Sequence, residues 1–453
     1  MNTEPFNHPT IQAPTSPTPP GKFWAYVAVI AGGGLLLSGL AAAIGYLGLP
    51  FYNFGKYLLY LQNTILGLQL GQVAGMFLGL VCGALALYHG FGSIINRASH
   101  PLRLPPFYLF WLVFALVLGL GNVVLNFHVA EAFLFPPLFL LGAALPTLGV
   151  VAWAARRLGW PITWRQGALA LVAGSTLSIF ITLVLVGMLP LLAYLLITPL
   201  EFLAYSFGEV FVWGHPNFLE RLFFSPLLIV FLITTALAAP IPEELAKALG
   251  VSLFGRQRIT NERQAILIGL VCGAGFAILE NMLYEGVYAQ YSGWSWGGIT
   301  LLRAIGSVLH PLGTALVALG WFRMEQRGPG QLFKAYLVAV GLHTLWNGGF
   351  DVFVYLTGLD YYAGVGPSLS LYGLAVEVAL VIFLVVLSLG LWWLLYRLVA
   401  SLAQGIEPDL APPIFSSRAL AGWALACALV IIPIGAALGP AWSQIQAIML
   451  AGG

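Results

Sequence analysis

The stretch AAPIPEELAKALG, Ala238–Gly250, sets two adjacent carboxylates and a lysine into a run that otherwise reads as membrane interior. An ionised side chain at the centre of a spanning helix costs about 2.5–3.5 kcal/mol, and less when it is paired, protonated or facing water. Glu243, Glu244 and Lys247 are therefore either a self-neutralising packing device or a chemical site. On a helix that kinks or starts at Pro240 and Pro242, Glu243 stands four residues and Glu244 three residues before Lys247, on the same face. One lysine can then neutralise one carboxylate and leave the other for work.

Outward from this stretch, 60% of the 453 residues are hydrophobic and 8% charged, too few polar groups to cover a water-facing surface. Residues 57–96, 166–200 and 419–453 contain no Asp, Glu, Lys or Arg, and each exceeds the roughly 20 residues of a spanning helix. The predicted fold is an all-α polytopic membrane protein of about eleven transmembrane helices. They fall near 24–47, 66–89, 106–127, 132–154, 168–199, 226–251, 264–286, 300–322, 333–357, 372–397 and 418–441. Basic residues gather in alternate loops: Arg97 with Arg103, Arg156 with Arg157 and Arg165, Arg256 with Arg258 and Arg263, Arg323 with Arg327 and Lys334, and Arg397 with Arg418. With Lys22 they mark a cytoplasmic side, which puts the amino terminus inside and the carboxyl terminus outside an expected prokaryotic plasma membrane. The opposite loops hold mainly Glu131, Glu201, Glu209, Glu220, Glu285, Asp351 and Asp360, with Lys56 and Arg221 as exceptions and Arg303 near a helix end.

A dispersed net charge of +2 gives no basic patch for nucleic acid, so the expected partners are the lipid bilayer and whatever the membrane holds. Cys82, Cys272 and Cys427 lie singly in apolar runs, form no CxxC and read as core residues. The opening MNTEPFNHPTIQAPTSPTPPG reads as a flexible Pro-rich tail over 1–22 that stays attached. Membrane helices over 23–225 follow, then a catalytic membrane core over 226–357 and further membrane helices over 358–453. Ser206–Ser225, SFGEVFVWGHPNFLERLFFS, alternates aromatics with charges and is expected to form an interfacial strip where a substrate's outer domain docks.

The three helices after the opening stretch repeat its anomaly. GFAILENMLYE, Gly275–Glu285, carries Glu280 and Asn281. SVLHPLGT, Ser307–Thr314, sets His310 four residues before Thr314, and GLHTLWNGG, Gly341–Gly349, sets His343 four before Asn347, so each pair shares a helix face. A single membrane histidine usually just packs. Two carboxylate-bearing helices followed by two histidine-bearing ones instead point to chemistry confined to a four-helix core. Two histidines, a carboxylate and a spare carboxylate suit water activation in either of two ways. They can hold zinc beside a general base, or act without metal as a Glu base, a histidine acid and an amide oxyanion donor.

On these residues the chain resembles the PrsW family of intramembrane proteases, within the wider assemblage of CAAX prenyl endopeptidases and bacterial self-immunity proteins. EELAK, Glu243–Lys247, is similar to the family's EExxK, and FAILEN, Phe276–Asn281, to its FxxxEN. HPLGT supplies the third-motif histidine, His310, and HTLWN, His343–Asn347, resembles the final HxxxN/D. The resemblance covers about 226–357 and implies an intramembrane endopeptidase that hydrolyses a membrane-anchored protein or peptide. It implies Glu243 and Glu244 as the water-activating pair, His310 and His343 as ligands or acid and oxyanion partners, and Asn347 as an orienting donor. Glu280 holds the second-motif position, with Lys247, Asn281 and Thr314 in support. If zinc is used, Glu280, His310 and His343 are the implied ligands. There is no HExxH, and the related CAAX-type enzymes are argued to use glutamate alone. Two other readings compete: a proton-coupled transporter that uses the buried Glu, His and Lys as a relay, and a non-catalytic binding or regulatory membrane protein of the same fold. Against the transporter stands the lack of a repeat pairing two broken helices in the two halves.

Overall fold

The structure, a computed structural model, describes residues 22–53, 62–125, 128–188, 236, 238–252, 259–289, 293–362 and 371–403. The expected helix 418–441, the strip Ser206–Ser225, Cys427 and nearly all of the predicted tail lie outside the described residues. The chain begins with α1 (Lys22–Asn53), α2 (Gln62–Met76), α3 (Gly83–Ile94), α4 (Phe107–Val124) and α5 (His128–Arg157). It continues with α6 (Trp164–Ala173), α7 (Ile179–Gly187), α8 (Pro240–Ser252), α9 (Glu262–Ala289) and α10 (Gly293–Ile305), and ends with α11 (Leu309–Arg327), α12 (Gly330–Tyr362) and α13 (Leu371–Leu402). Widened π turns at Phe77–Cys82 and Gly174–Ser178 join α2 to α3 and α6 to α7. Among the described residues, the extended pairing is one isolated bridge, Pro101 with Thr163.

Eight helices among the described residues are long and apolar enough to cross a membrane, so the protein is an integral membrane protein of all-α class. The expected span 333–357 lies within α12. The expected span 300–322 falls inside one spanning stretch, Trp296–Arg327, in which a tight turn separates the end of α10 at Ile305 from the start of α11 at Leu309. Pro311 accounts for the turn, since its ring crowds the carbonyl of Ser307 four residues back and it has no N–H to offer it.

The bundle is built around α9, whose apolar stretch from Ala265 to Leu279 is buried throughout. Lipid is as apolar as leucine, so burial in a membrane needs close backbone approach more than it needs apolar surface. Glycine supplies that approach. A Cβ on Gly273 would stand 2.7 Å from Thr314 Oγ1, and one on Gly269 would stand 2.6 Å from Ala315 Cα, which seats α11 against α9. On the other flank, a Cβ on Gly275 would stand 3.0 Å from Ser175 Oγ. The start of α9 is capped by Asn261, whose side-chain oxygen accepts the Gln264 N–H at 3.0 Å. Arg323 at the end of α11 then grips Glu262 with two hydrogen bonds, at 2.7 and 3.0 Å. These contacts fix the register in which α9 and α11 present their polar side chains.

Candidate active site

Four helices converge on one buried cluster. The first turns of α8 carry Glu243, Glu244 and Lys247, α9 brings Phe276, Glu280 and Asn281, the start of α11 brings His310, and the middle of α12 brings His343. α8 runs from Pro240, and the Glu243 N–H donates to the Ala239 carbonyl at 3.2 Å. Glu244, Lys247, His310 and His343 are each buried, and Glu243 keeps a side-chain exposure of 12%. Lys247 Nζ donates to Glu244 Oε1 at 2.7 Å and to His310 Nδ1 at 2.8 Å, and it lies 4.1 Å from the centre of the Phe276 ring. Gly313 leaves room for the other Glu244 oxygen, because a Cβ there would stand 3.0 Å from Oε2.

These contacts assign the protons of both imidazoles. An ammonium only donates, so His310 Nδ1 accepts from Lys247 and the ring hydrogen resides on Nε2, which donates to Glu280 Oε2 at 2.6 Å. His343 Nδ1 lies 2.9 Å from Glu244 Oε1, a carboxylate oxygen that accepts, so Nδ1 carries a hydrogen, and in the neutral ring Nε2 presents a lone pair. That lone pair faces Glu243 Oε2 at 3.6 Å, and Glu243 Oε2 is buried with no hydrogen-bond partner. Two acceptors aimed at each other in a buried site call for a group that donates to both. One water, giving a hydrogen to each, meets that need. The rings of His310 and His343 meet edge to face at 4.9 Å, which fixes their relative orientation.

Behind His310 the network ends on Arg303, which donates through Nη2 to Glu280 Oε2 and through Nε to Asn281 Oδ1, both at 2.7 Å. The Asn281 amide in turn donates to the Ala143 carbonyl at 3.1 Å, so α5, α9 and α10 are tied together at this point. A small cavity lies against Arg303, Asn281, Ser307, His310 and Trp346. The sequence puts Arg303 among the charges near a helix end, and its neighbours in the chain carry no sign of its pairing with Glu280 and Asn281. Glu285, read as an acid of an outer loop, is also buried, and it accepts from Trp296 Nε1 at 3.1 Å.

Of the other residues singled out in the sequence, Thr314 spends its hydroxyl on the His310 carbonyl at 2.9 Å and supports the helix rather than facing the cluster. Asn347 lies one turn beyond His343 and is half-buried. Glu280, implied as a metal ligand with the two histidines, is held by Arg303 and His310. The trio with ligand atoms close enough to share a metal ion is Glu243, His310 and His343, all within 4.8 Å of one another. With Lys247 in place the donor set falls short of a catalytic metal site, which takes three protein ligands. His310 has committed Nδ1 to the ammonium and Nε2 to Glu280, which leaves Glu243 and His343 as the free donors of the trio.

No curated protein and no solved structure matches the chain. Residues 184–388 match the model of a family described as PrsW family intramembrane metalloprotease. The match runs past both ends of the expected core at 226–357 and contains every residue of the cluster. The part of the chain that builds this site is therefore similar to the PrsW family of intramembrane proteases.

Proposed function

We propose that the protein is an intramembrane endopeptidase that hydrolyses a peptide bond of a membrane-anchored protein or peptide with a water activated by Glu243. The observation that carries this reading is Glu243 Oε2, without a hydrogen-bond partner, facing Nε2 of His343 at 3.6 Å inside the bundle. A water held between them gives its proton to Glu243 as its oxygen attacks the scissile carbonyl carbon. Glu243 then returns that proton to the leaving amine as the C–N bond breaks.

Glu244 is the positioning carboxylate. It holds His343 through Nδ1–H so that Nε2 faces the water, and Lys247 keeps it ionised in its buried place. Asn347, one turn from His343, is the donor we assign to the developing oxyanion. Arg303, Glu280 and Lys247 fix the tautomer of His310, whose ring packs on that of His343. We include kinship with the CAAX prenyl endopeptidases in this proposal. We also place the chain in a prokaryotic plasma membrane with its amino terminus inside, from the distribution of its loop arginines.

The test is cleavage of a single-span reporter by the purified protein in liposomes. Glu243→Gln is expected to lower kcat by about 10³-fold, within the range of a lost general base. His343→Ala is expected to lower it as well, with the protein still inserted. Cleavage by both variants at the parent rate would overturn the assignment.

A further inference from the structure

Lys247 sits among the groups a metal ion would need. Its Nζ lies 2.8 Å from His310 Nδ1, 3.7 Å from Glu243 Oε2 and 2.7 Å from the Glu244 oxygen that holds His343. The side chain is fully buried, with the Phe276 ring at 4.1 Å closing a further side. This is a built cation site, and the chain fills it with its own ammonium.

We propose that the Lys247 ammonium is the resident cation of this site and that it excludes a divalent metal, so that metal can bind only when Lys247 is removed or displaced. His310 has one lone pair, on Nδ1, and cannot direct it at Nζ and at a metal together. Its other nitrogen is a donor to Glu280, which Arg303 secures from behind. A dication shared by Glu243 and His343 would also lie beside a fully buried ammonium. The lysine supplies from inside the chain what a metal would bring: positive charge beside two carboxylates and a fixed orientation for both histidines. The metalloprotease description attached to the family and this donor set therefore disagree. The inference rests on the geometry of the cluster and does not depend on proteolysis.

The experiment is zinc titration of the purified full chain in detergent, read by calorimetry and by metal content after dialysis, with no substrate present. Lys247→Met is expected to bind one zinc per chain about a hundredfold more tightly than the parent, because a like charge has been removed from the site. Zinc should raise the melting temperature of Lys247→Met and leave that of the parent unchanged. Adding His343→Ala to Lys247→Met should abolish the binding, and Lys247→Arg, which keeps the charge, should behave as the parent does. Zinc binding by the parent as tight as that of Lys247→Met would overturn the proposal. Should Lys247→Met fail to fold, the parent decides alone: stoichiometric zinc that survives dialysis and is lost in His343→Ala contradicts the proposal, and its absence supports it.

Discussion

The helices α1 and α9 are both apolar enough to span a bilayer, yet they occupy opposite environments: 11% of the α1 spanning window is buried within the protein, against 89% of that of α9. Apolar content does not separate them. Two features of α9 do. Its glycines admit backbone from two sides, α11 at Gly269 and Gly273 and the α6–α7 segment at Gly275, whereas on α1 Gly32 and Gly39 admit only the α2–α3 segment among the described residues, and Gly33 and Gly34 have nothing within 4 Å of where a Cβ would stand. It also carries polar groups with partners on other helices: Glu280 and Asn281 with Arg303, Glu285 with Trp296, and Glu262 with Arg323. In lipid a leucine gains nothing by moving from bilayer to protein, so close approach and polar pairing decide which helix becomes the core.

The sharpest way to break this comparison is to put the same side chain on both helices. Gly273→Leu drives atoms into the His310 backbone and the Thr314 hydroxyl of α11 and is expected to cost about 3 kcal/mol or more. Gly34→Leu projects into lipid and is expected to stay within about 0.5 kcal/mol of the parent. Denaturation of the two variants in mixed micelles checks this, and equal stabilities would show that the glycines do not seat α9. Arg303→Ala tests the polar half of the comparison. It leaves Glu280 and the Asn281 oxygen without their cation, and with side-chain exposures near 12–15% the expected loss is about 3 kcal/mol. It should also slow reporter cleavage, since His310 loses its anchored acceptor. Arg323→Ala, at the wetter rim where the pair with Glu262 is 25–30% exposed, is expected to cost only about 1 kcal/mol and to leave cleavage intact.

The same physics explains how far the sequence could be read. Glu243, Glu244, Lys247, Glu280, His310 and His343 are legible because each is expensive in a membrane and the six fall on consecutive helices. The structure brings all of them into one cluster. The helical class and most spans follow from apolar runs alone. What stays hidden depends on pairing between distant segments. Nothing near Arg303 in the chain says that it meets Glu280 and Asn281, and nothing near Glu285 says that Trp296 comes to it. The choice between Glu243 and Glu280 as neighbour of the histidine pair is also a matter of distance: helical spacing gives a face, but only packing shows that Arg303 has claimed Glu280. Pro311 is the sign in the sequence of the turn between α10 and α11 within the span.

The central claim is that position in the cluster, and not mere burial of an acid, makes Glu243 the catalytic base. Glu285 is the control the molecule provides: a buried carboxyl in the same bundle, held by Trp296 and far in sequence from the α8 acids. The measurement is the initial rate of single-span reporter cleavage in liposomes by Glu243→Gln and Glu285→Gln, made side by side at matched incorporation. The account predicts that Glu285→Gln keeps most of the parent rate while Glu243→Gln loses about 10³-fold. Cleavage by Glu243→Gln at the parent rate, or equal losses in the two variants, would contradict it.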